Sequence, residues 1–273
     1  MTNIQFQSSA IDAGECVSGG WNFISRNYWT YFGMTTLLTL SSIVISCIPF
    51  VPLLFQIFVV PAVTVGIFYA LLREMRGEPV DFGMMFKGFE NYAPTMLVGL
   101  INAIPQIIFT ILSFALNLGQ IASEIIKQRT GQGNISNFAQ SSDATPVIAG
   151  GLIIVLVIVF VVFFLFSIAW GITFFFALPI LAEHNVTAIE AIKLSAMAGW
   201  SNVGGLIVLF IFEFLIALLG VIAICIGVLF VIPIIFAANA MAYRQVFPMI
   251  AQNFNYAPPP PTTYGFGGGQ PLG

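Results

Sequence analysis

Between Asp143 and Glu183 the chain places no charged side chain at all. Its apolar run over 147–182 exceeds the ~20 residues that a helix needs to cross the hydrocarbon core of a bilayer. Three other apolar stretches, 31–72, 94–118 and 203–243, are long enough for at least one crossing each. The rest of the chain cannot compensate. Of its 273 residues 59% are hydrophobic and 7% charged, with mean hydropathy +0.99, whereas a soluble domain carries roughly 25% charged residues. Too few polar groups remain to cover a water-exposed surface, so the sequence predicts an all-α integral membrane protein.

Two of the long stretches divide. "CIPFVP" at 47–52 splits the first into helices over about 30–48 and 53–74, and "GVIAICIG" at 220–227 splits the last. With 94–118 and 147–182 this predicts six transmembrane helices arranged as three hairpins. The 147–182 run admits three readings: a tilted helix, a bend near Gly171, or a start that projects past the lipid. Arg26, Arg73, Arg76, Lys87, Lys193 and Arg244 fall on one side, and only Lys127 and Arg129 on the other. Cytoplasmic loops carry the excess of Lys and Arg. Both termini are therefore expected in the cytoplasm of a multi-pass cell-membrane protein, in a bacterium the inner membrane. The first residues lack a basic start followed by an apolar core, so no cleavable signal is expected.

A short phrase recurs before the hairpins. "SAIDA" at 9–13 and "TAIEA" at 187–191 set a hydroxyl three residues ahead of an acid, the spacing of a capping box, and "PVDF" at 79–82 is a weaker copy. Gly20-Trp21, Gly88-Phe89 and Gly199-Trp200 follow. Each hairpin is thus expected to be preceded by a cytoplasmic amphipathic helix lying in the membrane interface. Trp21, Phe89 and Trp200 would be its anchors, since aromatic rings favour that depth, and the glycine would turn the chain into the span. The outer hairpins also match in "FVVPAVTVGIFYALLR" (58–73) and "FVIPIIFAANAMAYR" (230–244). This predicts a membrane domain over 1–250 built of three repeats, about 9–75, 78–183 and 187–248. A disordered Pro/Gly-rich cytoplasmic tail at 251–273 would follow.

The three hairpins, "VDFGMMFKGF" at 80–89 and the closing "AYRQVF" at 242–247 resemble a group of uncharacterised bacterial multi-pass membrane proteins. That group is similar to the membrane-anchor region of glycerophosphoryl diester phosphodiesterases. The resemblance covers about 8–248 and implies the membrane fold. It carries no catalytic residue over, because the soluble phosphodiesterase domain with its metal-binding acids and histidines has no counterpart in these residues.

Little in the sequence points to chemistry. His184 is the single histidine and reads as a solvated loop residue. No metal-ligand spacing, nucleophile elbow or phosphate-binding loop occurs, so no catalytic residue, metal or cofactor is assigned. The basic residues form no stripe, which argues against nucleic acid. Cys47 and Cys225, at matching turns, suit either a disulfide or two small buried side chains. Glu213 is the one charged residue deep within a span. An ionisable group there faces protein or water, with Asn239, Asn102, Gln106 or Gln56 as partner. One reading is a carboxylate that responds to protons or cations; the other is a protonated carboxyl that binds helices together. The expected function is a non-enzymatic membrane protein that organises lipid or partner proteins, or copies of itself, at the cytoplasmic face. The alternative is a secondary transporter or channel for a small solute using Glu213.

Overall fold

The computed structural model describes residues 4–48, 51–111, 113–114, 145–222 and 227–248. All regular elements among them are helices: α1 (Ala13–Ile24), α2 (Tyr28–Ser46), α3 (Val51–Phe58), α4 (Val60–Met75), a 3-10 helix (Phe82–Phe89), and α5 (Tyr92–Asn102). There follow α6 (Ile104–Ile111), α7 (Thr145–Phe174), α8 (Ala177–Glu183), α9 (Ala188–Ser201), α10 (Val203–Ile222) and α11 (Gly227–Val246). Among the described residues four stretches are long and apolar enough to cross a membrane: Val51–Met75, Val157–Glu183, Val203–Ile222 and Gly227–Val246. Tyr92–Asn102 and Ile104–Ile111 make a fifth if the pair, bent by 45°, counts as one. The chain's described regular structure is all helical, and the long apolar helices are those of a multi-pass membrane protein. The expected tail at 251–273, Cys225, Lys127 and Arg129 lie outside the described residues.

Helix starts follow the predicted chemistry with one change of register. Thr187 Oγ1 accepts from Glu190 N at 3.4 Å while Glu190 Oε2 accepts from Thr187 N at 3.1 Å, the reciprocal capping box. Ser9 does not play that part in the first copy. It lies at φ 52°, and Asp12 itself caps α1, its Oδ1 accepting from Glu15 N at 3.0 Å. An aspartate is a good N-cap in its own right, and the next acid, Glu15, occupies the first turn. In the third copy Asp81 stands at the N-cap without a side-chain bond, and Pro79 precedes the helix instead of opening it.

The spans are interrupted where proline withholds its N–H. Pro61 sits just past the α3–α4 join, Pro105 just past the α5–α6 bend, and Pro179 within α8, just past the α7–α8 break. The long apolar helix is continuous through Gly171 and is interrupted at 175–176. Backbone groups freed at depth need protein partners, and they have them. Ser195 of α9, fully buried, donates to Thr173 O at 2.7 Å and accepts from Phe176 N at 3.0 Å. Trp170 Nε1 donates to Asn102 O at 3.2 Å. Pro233, by contrast, lies inside the unbroken α11.

Three glycines bring backbones together. A Cβ on Gly20 would fall 2.8 Å from Ala238 N of α11, one on Gly88 1.9 Å from Ala62 O of α4, and one on Gly199 2.3 Å from Ile172 O of α7. These glycines lie inside α1, the 3-10 helix and α9 and do not turn the chain, contrary to the expectation from their position. The turns come later, at Asn27, Asn91 and Asn202, which share a backbone conformation (φ −123°, −111°, −120°; ψ 31°, 56°, 20°). Asparagine tolerates such conformations between the helical and extended basins because its short amide can bond locally.

Candidate functional site

Glu213 lies midway along α10, which packs on α11. Of its four candidate partners only Asn239 of α11 faces its carboxyl. Glu213 Oε1 and Asn239 Oδ1 are both buried with no partner among the described residues. Both are acceptors. A proton on the carboxyl would add the donor that the pair lacks, since a carboxylic acid and a carboxamide can exchange two hydrogen bonds.

Asn102, Gln106 and Gln56 are elsewhere. They line a cavity of about 910 Å³ between α3–α4 and the α5–α6 bend, which Phe174 and Leu178 also line. A smaller hollow of about 430 Å³, beside Phe163 and Trp170, shares Asn102 and Gln106. Neither is lined by Glu213 or Asn239. The predicted polar site therefore separates into an acid–amide pair between two helices and an amide-lined cavity. Spans that lie far apart in sequence cannot be assigned to neighbouring positions from their composition, which is why one site was expected.

The three aromatic residues expected as anchors sit on the outer faces of their helices: Trp21 is 49% exposed, Phe89 39% and Trp200 51%. Trp200 Nε1 donates to Thr173 Oγ1 at 3.2 Å, Trp21 meets the edge of Tyr28 and Phe89 stacks on Tyr92. On α9 the buried face is Ala188, Ala191, Ser195, Ala198 and Gly199, while Ile189, Met197 and Trp200 point away from the protein. Small residues inward and large apolar residues outward is the pattern of a helix whose outer surface meets lipid.

A cluster at the ends of three spans went unnoticed in the sequence. Glu183, last residue of α8, receives Arg244 of α11 through Oε1 at 2.6 Å and Oε2 at 2.9 Å. Tyr243 donates to Oε2 at 2.8 Å, and Arg76, at the end of α4, reaches Oε1 at 3.5 Å. Arg76 also binds Glu78 at 3.0 Å, which with Arg73 holds that carboxyl below its usual range. His184 is half-buried beside this cluster and not simply solvated. Burial lowers its pKa, Glu183 opposes that and Arg244 reinforces it. The signal was Arg73, Arg76, Glu183 and Arg244 at corresponding span ends, although their pairing depends on which spans are neighbours.

The three turn asparagines each donate from Nδ2 to a segment leading into or out of another helix group. Asn27 bonds Glu74, Asn91 bonds Asn185 Oδ1 at 3.4 Å, and Asn202 bonds Gln7 O at 2.9 Å. Around the last of these, residues 4–12 pass over the α9–α10 turn: Ser9 N donates to Ser201 O at 3.3 Å and Ala10 N to Asn202 Oδ1 at 2.8 Å. Cys16 of α1 donates through Sγ to Gln245 of α11 at 3.2 Å. Burial foremost, then the charges of Asp12, Glu15 and Glu213, push that thiol up to about 12, so it is inert as a nucleophile. Among the described residues no group of three or more His, Cys, Asp or Glu side chains could hold a metal ion. Comparison with protein-family models, with curated proteins and with solved structures returns no match for this chain.

Proposed function

We propose that this is a non-enzymatic membrane protein of three repeats, joined head to tail into a ring, that organises lipid at the cytoplasmic face. The observation that carries the reading is cyclic. Each Gly-aromatic helix seats its glycine on the last span of the repeat before it, α1 on α11, the 3-10 helix on α4, and α9 on α7. The turn asparagines follow the same order: Asn27 bonds Glu74 in the last turn of the span that ends its repeat, Asn91 bonds Asn185 in the link to the next repeat, and Asn202 binds residues 4–12, which lead to the first. Charged span ends also converge, with Arg244 of the last repeat and Arg76, just past the first, both meeting Glu183 of the second.

In this reading the spans form three hairpins with both termini in the cytoplasm, and α2 is a sixth crossing. At 19 residues it is about 28 Å long, close to a hydrocarbon core. Thr35, Thr39, Ser41, Ser42 and Ser46 lower its hydropathy. Yet each of these donates to a carbonyl three or four residues back, which lets a hydroxyl enter lipid satisfied; Thr36 Oγ1 is buried with no partner among the described residues. Trp21, Phe89 and Trp200 then edge a collar of helices at the interface, and the likeness to phosphodiesterase membrane anchors is one of architecture. The transport alternative loses support from Glu213, which faces Asn239 and neither cavity.

The test is lipid composition. Protein extracted from mixed-lipid membranes in polymer nanodiscs should carry lipid in proportions different from the bulk. Replacing Trp21, Phe89 and Trp200 together with alanine should return them to bulk values. Identical proportions around the wild type and the triple variant would refute lipid organisation. Proteoliposome flux that is abolished by Glu213→Gln would favour transport instead.

A further inference from the structure

The cavity between α3–α4 and the α5–α6 bend has a lining that the collar does not use. Its walls are apolar, with Leu53, Leu54, Val98 and Phe174 among them, and no described lining residue carries a charge. Gln56, Asn102 and Gln106 line it as exposed residues, and their side-chain amides make no hydrogen bond among the described residues. All three belong to apolar spans, where an unpaired amide is costly and is ordinarily satisfied by a partner. The volume of about 910 Å³ falls within the ~300–1,000 Å³ typical of ligand sites that pair apolar walls with a few polar groups.

The bend gives the cavity its polar side. Pro105 ends the ladder, α6 departs at 45°, and Trp170 already occupies the carbonyl of Asn102. The Asn102 and Gln106 amides are therefore left lining the space. A carboxamide both donates and accepts. It suits hydroxyl and ester carbonyl oxygens, and it offers no counter-charge to a phosphate or an ammonium. A small water-soluble solute would leave most of the wall unmatched.

We propose that this cavity binds an uncharged lipid, its hydroxyl and carbonyl oxygens held by Gln56, Asn102 and Gln106 and its chains lying along Leu53, Leu54 and Val98. The site is distinct from the aromatic collar and stands whether or not the collar organises lipid. The test titrates the purified full chain, in detergent, with 1,2-dioleoylglycerol and with dioleoylphosphatidylglycerol, and reads bound lipid by native mass spectrometry. The two probes share their chains and differ in head charge. The glycerolipid should bind at least about tenfold more tightly, the worth of roughly one net hydrogen bond. Asn102→Leu with Gln106→Leu should remove that preference, and Trp21→Ala with Trp200→Ala should preserve it. The leucine pair removes only polar groups from the lining, so a melting temperature at or above that of the wild type certifies its fold. Equal binding of the two lipids, or a preference that survives the leucine pair, would overturn the proposal.

Discussion

Replacing Gly88 with alanine puts a methyl carbon 1.9 Å from the carbonyl oxygen of Ala62 and 3.1 Å from Val65 Cβ. Ordinary contact begins at 3.4 Å, so the 3-10 helix and α4 must separate by about 1.5 Å (3.4 less 1.9). Neither side can yield locally, because the obstructing atom is backbone. Overpacking of this kind costs ~1–3 kcal/mol, and the better helix propensity of alanine returns at most ~1 kcal/mol. The net loss is on the order of 1–2 kcal/mol. At ~2–4 °C per kcal/mol for a chain of this size, the melting midpoint should fall by roughly 2–8 °C. Gly199→Ala, at 2.3 Å from Ile172 O, should cost less, and Gly20→Ala, whose nearest atom is at 2.8 Å, less again. Gly204 is the control: no atom lies within 4 Å of its Cβ position, so alanine there should be neutral or mildly stabilising. The assay is thermal denaturation of purified variants in one detergent, followed by the loss of the monodisperse chromatographic peak. If Gly88→Ala melts with Gly204→Ala, close backbone contact does not constrain this fold.

Glu183→Gln leaves Arg244, whose side chain is 10% exposed, without its charge partner; the same denaturation assay should register a loss of ~3–5 kcal/mol, against ~1 kcal/mol for Tyr243→Phe. Glu213→Gln gives the unpartnered Asn239 Oδ1 an N–H to accept and should not lower stability, whereas Glu213→Ala leaves the Asn239 amide buried and unpaired at ~1–3 kcal/mol. With its pKa pushed up to about 12, the Cys16 thiol should react with a membrane-permeant maleimide at pH 8 on the order of a thousandfold more slowly than a free thiol, read by mass spectrometry of the modified peptide. Glu190 has its carboxyl pKa lowered by the Thr187 backbone and hydroxyl donors; its contribution is present above the unfolded-state value and is lost as pH falls through the folded one. A pH series of melting curves should carry that acid-side loss in the wild type and lack it in Glu190→Gln.

The membrane class, the positions of the apolar helices and the Thr187–Glu190 cap were legible because each depends on composition or on spacing within one turn. The capping register in the first copy was misjudged because both Ser9 and Asp12 are competent caps. Their choice is made by residues 4–12 bonding Asn202 and Val246, far along the chain. Gly20, Gly88 and Gly199 stood out as a recurring pair with an aromatic, yet their role is a close approach to a helix from another part of the sequence. The same limit hid the Glu183 cluster and joined Glu213 to Asn102 and Gln106. Polarity within a span is visible in a sequence, while the span that it faces is set by packing.

Single-tryptophan versions of the protein, keeping either Trp21 or Trp200 and replacing the other three tryptophans with phenylalanine, allow depth to be measured in liposomes with brominated lipids. If the Gly-aromatic helices form an interfacial collar, both should be quenched most by bromines nearest the headgroup and progressively less by deeper ones. Strongest quenching by bromines at the bilayer centre, or quenching by aqueous iodide with none by lipid, would contradict it.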